Sequence, residues 1–388
     1  MSAVADTAAP VLFEERIARA GKRIGFATLN APATLNGLSL EMARLLDAQL
    51  ARWAADGHVA LVVLRGAGDK AFCAGGDLQA LYRSMLDYRA SGSDDVRTNA
   101  YAANFFATEY RLDHRIHTYP KPILCWGHGI VMGGGIGLMS GASHRIVTER
   151  SKLAFPEITV GLYPDVGGSW LLNRVPDRAG LFLALTGAPL DAGDAVHAGL
   201  ADYYIAQSMH DTVRDALLDA YWADDAETNR ARLSELLALH AQPAGTGPLQ
   251  RHRVEIAKAC ASDSLAAIVV AIDALDAGDP WIAHARKTLA AGSPGSARLG
   301  YELQRRAAGL SLADTFRFEY VTSLHCAAHG DFAEGIRALL IDKDRNPRWN
   351  PATFAEATPA WAETFFHASW AASAHPLADL AASAEASS

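Results

Sequence analysis

The feature that most limits the fold is an order that recurs along the first half of the chain: an apolar strand, a glycine turn, then a helix. VLFEERIARAGKRIGFATLN alternates apolar and polar positions on both sides of Gly21, which reads as two strands joined by a tight turn. LSLEMARLLDAQLARWAADG follows with Leu, Met and Trp at helical spacing, Ser39 placed to cap its start and Gly57 at its end. ALVVLRG is an apolar strand, PILCWGHGIVMGGGIGLMSGA repeats the order, and HRIVT adds another strand. Such ββα units cannot bury their apolar faces singly, so they are expected to stack into a spiral. From about Asp211 the sequence turns Ala-, Leu- and charge-rich, the composition of helices, and AAGSPGSARLG offers Ser293 as an N-cap with Pro294 at the first helical position. The expected organisation is an α/β core over 11–210, a mainly helical region over 211–370, and a disordered Ala- and Ser-rich tail over 371–388.

With 388 residues and 50% hydrophobic content, the chain can bury a large core. A formal net charge of −8 argues against a nucleic-acid-binding surface. Cys73, Cys125, Cys260 and Cys326 are scattered without metal-ligand spacing, which suits reduced thiols and no metal site. The start MSAVADTAAP has neither a basic nor an apolar leader segment, and no run of about 18 apolar residues suggests a membrane span. The expectation is a soluble cytoplasmic protein with no membrane partner.

Three loops combine glycine with chemistry: Phe72-Cys73-Ala74-Gly75-Gly76-Asp77, Gly133-Gly134-Gly135-Ile136-Gly137, and Pro156-Glu157 followed by Pro164-Asp165-Val166-Gly167-Gly168. Glycine lets a backbone N–H approach a ligand with no Cβ in the way, and two such amides on one oxygen form an oxyanion hole. Any one of these loops alone is more often only a tight turn. His128 and His144 have no Ser or Cys nucleophile motif beside them and read as structural, and Cys73 reads as a packing residue.

Taken in order, KAFCAGGDL, KPILCWGHGIVMGGGIGL and LAFPEITVGLYPDVGG resemble the signature of the crotonase, or enoyl-CoA hydratase/isomerase, superfamily. The resemblance implies a crotonase-like ββα spiral core with a helical C-terminal region. It also implies an acyl-CoA substrate, no cofactor beyond the CoA of that substrate, and an oxyanion hole from the amides of Gly76 and Gly134. Hydratases of the superfamily carry a glutamate two residues after the glycine triplet, where this chain has Gly137; Glu157 remains, and Asp165 stands eight residues beyond it.

That combination, with ATEYRLDHRIHTYPKP, HCAAHGDFAEGIRALLIDKDRNPRWNP and the long C-terminal extension, is similar to the 3-hydroxyisobutyryl-CoA hydrolases from roughly Glu14 to Phe366. The similarity implies hydrolysis of 3-hydroxyisobutyryl-CoA, as in valine breakdown. Glu157 would act as nucleophile or as the base that activates water, Asp165 would bond the substrate hydroxyl or relay a proton, and Glu109 and Gly134 would complete the acyl contacts. Read without the resemblance, Glu109 is a solvated helix charge and Asp165 a turn aspartate. The basic residue that relatives often place before LN is replaced by Ala33, so Lys70, Lys121 or Arg65 would have to meet the CoA phosphates. Two other readings stay open: a hydratase or isomerase of the same fold, and a non-catalytic acyl-CoA-binding or assembly protein. Relatives assemble as trimers or pairs of trimers, and the apolar faces of DTFRFEYVTSL and EGIRALLIDKD could bury within the chain or between copies of it.

Overall fold

The computed structural model describes residues 9–381. Its strands are β1 (Val11–Ile17), β2 (Arg23–Leu29), β3 (Val59–Gly66), β4 (Ala71–Cys73), β5 (Ile123–Gly127), β6 (Ile130–Met132), β7 (His144–Val147), β8 (Lys152–Ala154) and β9 (Tyr203–Tyr204). β1 and β2 are antiparallel around Ala20 and Gly21, both at positive φ, and pair Val11 with Leu29 and Ile17 with Arg23. The other pairs in the six-stranded sheet, ordered β1-β2-β3-β5-β7-β9, are parallel.

Parallel neighbours need crossover connections. Helix α1 (Leu40–Ala55) joins β2 to β3, α2 (Leu78–Ser91) and α3 (Ala100–His117) lie between β4 and β5, and α4 (Gly134–Ser140) lies between β6 and β7. The strands left out of the large sheet form a second one, ordered β4-β6-β8. From β3 onward each turn therefore gives one strand to each sheet, and this is the ββα spiral that the sequence pattern implies. Ser39 caps α1 by accepting from the Met42 N–H at 3.1 Å, while Met42, Ala43, Leu46, Leu50 and Trp53 form its buried stripe. The helix stops at Ala55, short of Gly57, and the ammonium of Lys121 takes the Trp53 and Asp56 carbonyls at its end, each at 2.6 Å.

Chain contacts divide the protein into two units, each assembled from three stretches. The first comprises the chain up to Gly76, Leu112–Leu153 and Leu190–Gly247. Its core sets Ile24, Phe26, Leu61, Val63, Leu124, Trp126 and Ile146 of the large sheet against Val213, Leu217, Leu233 and Leu237 of two later helices. The second comprises Asp77–Arg111, Ala154–Pro189 and the chain from Pro248 onward. It is helical, and Ser293 caps the helix Pro294–Ala307 by accepting from Ser296 N–H at 2.9 Å, with Pro294 at the first helical position as expected. Neither unit follows the division 11–210 and 211–370, because 77–111 and 154–189 group with the C-terminal helices.

DTFRFEYVTSL lies in the helix Leu312–His329, and its apolar face is buried within the second unit through Phe316, Val321 and Leu324. EGIRALLIDKD keeps Leu339 and Ile341 exposed. In the tail, Leu377 is fully buried, and Arg111 bonds Asp379 at 2.7 and 2.8 Å and the Pro376 carbonyl at 2.7 Å, so 371–381 is anchored where composition suggested disorder. Residues 382–388 of that tail lie outside the described residues. No helix among the described residues is long and apolar enough to cross a membrane.

Candidate active site

The first unit supplies backbone donors. β4 and β6 are parallel neighbours, pairing Ala71 with Ile130 and Cys73 with Val131, so the loops that follow them leave the small sheet side by side. Gly76 lies in the first loop and Gly134 opens α4 after the second. Close packing of the loops explains the glycines: Gly75 sits at φ 104°, and a Cβ on Gly135 would meet the Cys73 carbonyl oxygen at 2.2 Å. Gly134 occupies the first helical position, where an N–H has no carbonyl partner in its own helix. The loop holding Gly76 is fastened by Leu38 N–H bonding the Gly75 carbonyl at 2.8 Å, which does not spend the Gly76 amide.

The second unit supplies acid groups. Glu157 begins a short 3-10 turn, Glu157–Thr159, and its carbonyl accepts the Val160 and Leu162 N–H groups, both at 3.0 Å. The side chain is 5% exposed, and its Oε2 has no hydrogen-bond partner. Burial pushes this carboxyl well above the usual range, and the charge of Asp165 adds to the effect. Asp165, also 5% exposed, accepts from the Tyr110 hydroxyl at 2.7 Å. Burial lifts it to about 6 against the opposing pull of that bond.

The loop that carries Asp165 is strained and held. Val166, a β-branched residue, sits at φ 54°, followed by Gly167 at φ 79°. Glu319, from the helix Leu312–His329, accepts the Gly167 N–H at 2.7 Å and the Ser169 N–H at 3.0 Å. Burial, then the Asp165 charge, pushes Glu319 up to about 8 in spite of these donors. One turn later on the same helix, Ser323 lies 2.8 Å from the hydroxyls of both Tyr110 and Tyr163.

Each expected residue has a definite place. Gly76 and Gly134 belong to the first unit; Glu109, Glu157 and Asp165 belong to the second. Glu109 is 2% exposed, which removes the solvated-charge reading. Gly137 is buried inside α4. His128 bonds the Gly68 carbonyl at 3.0 Å and His144 bonds Ser143 at 2.9 Å, as structural histidines do. Two of the three proposed phosphate ligands are engaged elsewhere: Lys121 as described, and Arg65 through Thr28 at 2.9 Å and the Phe26 ring. Lys70 is exposed and borders a cleft with about 200 Å³ of room for water, together with Pro32, Leu35, Asn36 and Asp69. Among the described residues no cluster of His, Cys, Asp and Glu could hold a metal ion.

The sequence pattern of one family, described as enoyl-CoA hydratase/isomerase, matches residues 24–366. The chain belongs to the enoyl-CoA hydratase/isomerase family. Within it, the chain is 35% identical over 356 residues to a zebrafish (Danio rerio) protein named 3-hydroxyisobutyryl-CoA hydrolase, mitochondrial, covering 92% of this chain and 89% of that one. A human protein of the same name is 31% identical over 363 residues, covering 92% and 88%. A structure described as carnitinyl-CoA dehydratase from Mycobacterium thermoresistibile superposes with a TM-score of 0.80 at 37% identity, covering 92% of this chain and 96% of that one. One described as an enoyl-CoA hydratase from Rhodobacter sphaeroides 2.4.1 gives 0.79 at 36% identity, covering 92% and 97%. The crotonase-type spiral with a helical C-terminal region is thus the family's fold.

Proposed function

We propose that this protein hydrolyses a short, branched 3-hydroxyacyl-CoA thioester, 3-hydroxyisobutyryl-CoA foremost, to the hydroxy acid and free CoA. The observation that carries this reading is the buried Glu157 carboxyl with an unclaimed Oε2 and a second carboxyl, Asp165, acting on it. The names of the curated relatives agree with it.

In this mechanism the amides of Gly76 and Gly134 take the thioester oxygen, which gains negative charge as the carbonyl carbon is attacked. Glu157 either attacks that carbon, giving a mixed anhydride that water then opens, or removes a proton from the attacking water. Along either route the C–S bond breaks, the sulfur leaves with a proton, and the oxygen of water ends in a carboxylate. Asp165 accepts a hydrogen bond from the substrate 3-hydroxyl, Glu109 lines the acyl end, and Lys70 is the cation left for the CoA phosphates. The CoA of the substrate is the only cofactor this chemistry needs. Valine breakdown as the route and the cytoplasm as the compartment belong to the same proposal; the curated relatives are named as mitochondrial, and cell fractionation tests the compartment.

A second reading, hydration of an enoyl-CoA, is favoured by the descriptions of the two superposed structures. It needs a replacement for the carboxyl that hydratases carry where this chain has Gly137. Parallel time courses of thiol release and of loss of the enoyl chromophore separate the two. Hydrolysis predicts thiol release from 3-hydroxyisobutyryl-CoA and little change in crotonyl-CoA absorbance.

A further inference from the structure

In the second unit a single hydrogen-bonded chain runs from Asp165 to a backbone carbonyl. Tyr110 donates to Asp165 Oδ2 at 2.7 Å, the Tyr110 and Ser323 hydroxyls lie 2.8 Å apart, the Ser323 and Tyr163 hydroxyls lie 2.8 Å apart, and Tyr163 donates to the Glu319 carbonyl at 2.8 Å. All of these side chains are buried, where a polar atom that loses its partner is costly.

Counting protons shows what the chain allows. The Glu319 carbonyl can only accept, so it fixes the proton of Tyr163. When Asp165 is ionised, Tyr110 donates to it and Ser323 donates to either tyrosine oxygen. When Asp165 is protonated, its own O–H becomes a donor to Tyr110; Tyr110 then turns its proton to Ser323, and Ser323 donates to Tyr163. The Asp165–Tyr110 bond survives in both states; in the ionised state three protons serve four contacts, so Ser323 bonds one tyrosine at a time, and the proton on Asp165 fills the fourth. No proton leaves along the chain, because its far end, a carbonyl, cannot take one. A proton gained by Asp165 therefore comes from outside this chain of hydroxyls and returns there.

We propose that Tyr110 and Ser323 are positioning residues that keep the Asp165 carboxyl fully hydrogen-bonded in both its ionised and its protonated form, so that it can gain and release a proton during turnover. This rests on the reading of Asp165 as a substrate-facing carboxyl. The groups on which the charge of Asp165 acts are Glu157 and Tyr163 from its own stretch, Glu319 and Cys326 from the helix Leu312–His329, and Tyr110 from α3, with Glu109 also acting on Tyr110. All are acidic or neutral, and the ionised form of Asp165 is held by the Tyr110 hydroxyl and by its own backbone.

The test is a pair of substitutions with opposite expected signs. Tyr110→Phe removes a donor to the ionised form, and should move the acid limb of the pH–rate profile upward by about one unit. Ser323→Ala leaves that donor in place but deprives Tyr110 of the acceptor it needs when Asp165 is protonated, so the limb should move downward by about half a unit. Ser323→Thr should restore the wild-type limb. The same shifts are read without turnover by ¹³C-carboxyl titration of labelled aspartate, Asp165 being the resonance lost in Asp165→Asn. Limbs that stay in place, or move the same way in both variants, overturn the proposal, and a fall in thermal midpoint alone does so too. Should Tyr110→Phe not fold, the contrast between Ser323→Ala and Ser323→Thr decides it. If the wild-type protein releases thiol from no acyl-CoA, the hydrolase reading fails on its own, and the titration still judges the chain.

Discussion

Glu157 is a costly residue to bury, since its Oε2 is shut away from water without a hydrogen-bond partner. Glu157→Gln should therefore lower kcat for thiol release by about 10²–10⁴-fold with a small change in KM, while the thermal midpoint holds or rises. Asp165→Asn should instead erode the preference for 3-hydroxyisobutyryl-CoA over isobutyryl-CoA, because a polar group built to meet a hydroxyl rejects the analogue that lacks it. Competition between the two thioesters measures this. Glu157 and Asp165 were legible in the sequence because each sits in a short motif with glycine or proline beside it. Tyr110, Tyr163, Glu319 and Ser323 were not. Their partners are far away in the chain, 55 positions for Tyr110 to Asp165, 152 for Gly167 to Glu319 and 213 for Tyr110 to Ser323, and no local pattern encodes such pairings. The one available signal was a glutamate and a serine four residues apart on the apolar face of FRFEYVTSL.

Among the elements, the Asp165 loop and the paired glycine loops carry the consequences. Glu319 binds the amides of Gly167 and Ser169, and Glu319→Ala would leave both buried donors unpaired, at a cost of about 2–4 kcal/mol measured by denaturant unfolding. The acidity of Glu319 also sets a sign. Its folded value of about 8 lies above its ordinary 4.5, so the folded state holds the proton more tightly. The stability it contributes is complete below 4.5 and is lost as pH rises through about 8. The wild-type thermal midpoint should thus fall more between those values than that of Glu319→Gln, as read by melts across pH. In the other unit, Gly135→Ala would press a Cβ against the Cys73 carbonyl and displace the Gly134 amide, lowering kcat by about 10²–10³-fold. The longer strands and α1 were legible because their periodicity spans two or more repeats. β4, β6 and β8, at three residues each, are too short to show a period, and the end of α1 before Gly57 is met by Lys121, a residue 65 positions beyond the Asp56 whose carbonyl it takes.

For the molecule as a whole, the order of strands and helices was readable, but the grouping of stretches into units was not. Composition changes once, near Asp211, whereas the units exchange chain at Asp77, Leu112, Ala154, Leu190 and Pro248. Contact, not composition, decides that grouping. Family membership fixes the fold and leaves the reaction to the particular side chains, which here keep Glu157 and Asp165 and lack a carboxyl at Gly137. The most direct measurement is thiol release by the purified protein and its Glu157→Gln variant, with 3-hydroxyisobutyryl-CoA and crotonyl-CoA as substrates under matched conditions. The account predicts stoichiometric thiol from the hydroxyacyl thioester, abolished in the variant, with the enoyl chromophore of crotonyl-CoA left nearly intact. Rapid loss of that chromophore without thiol, or thiol release undiminished by Glu157→Gln, would contradict it.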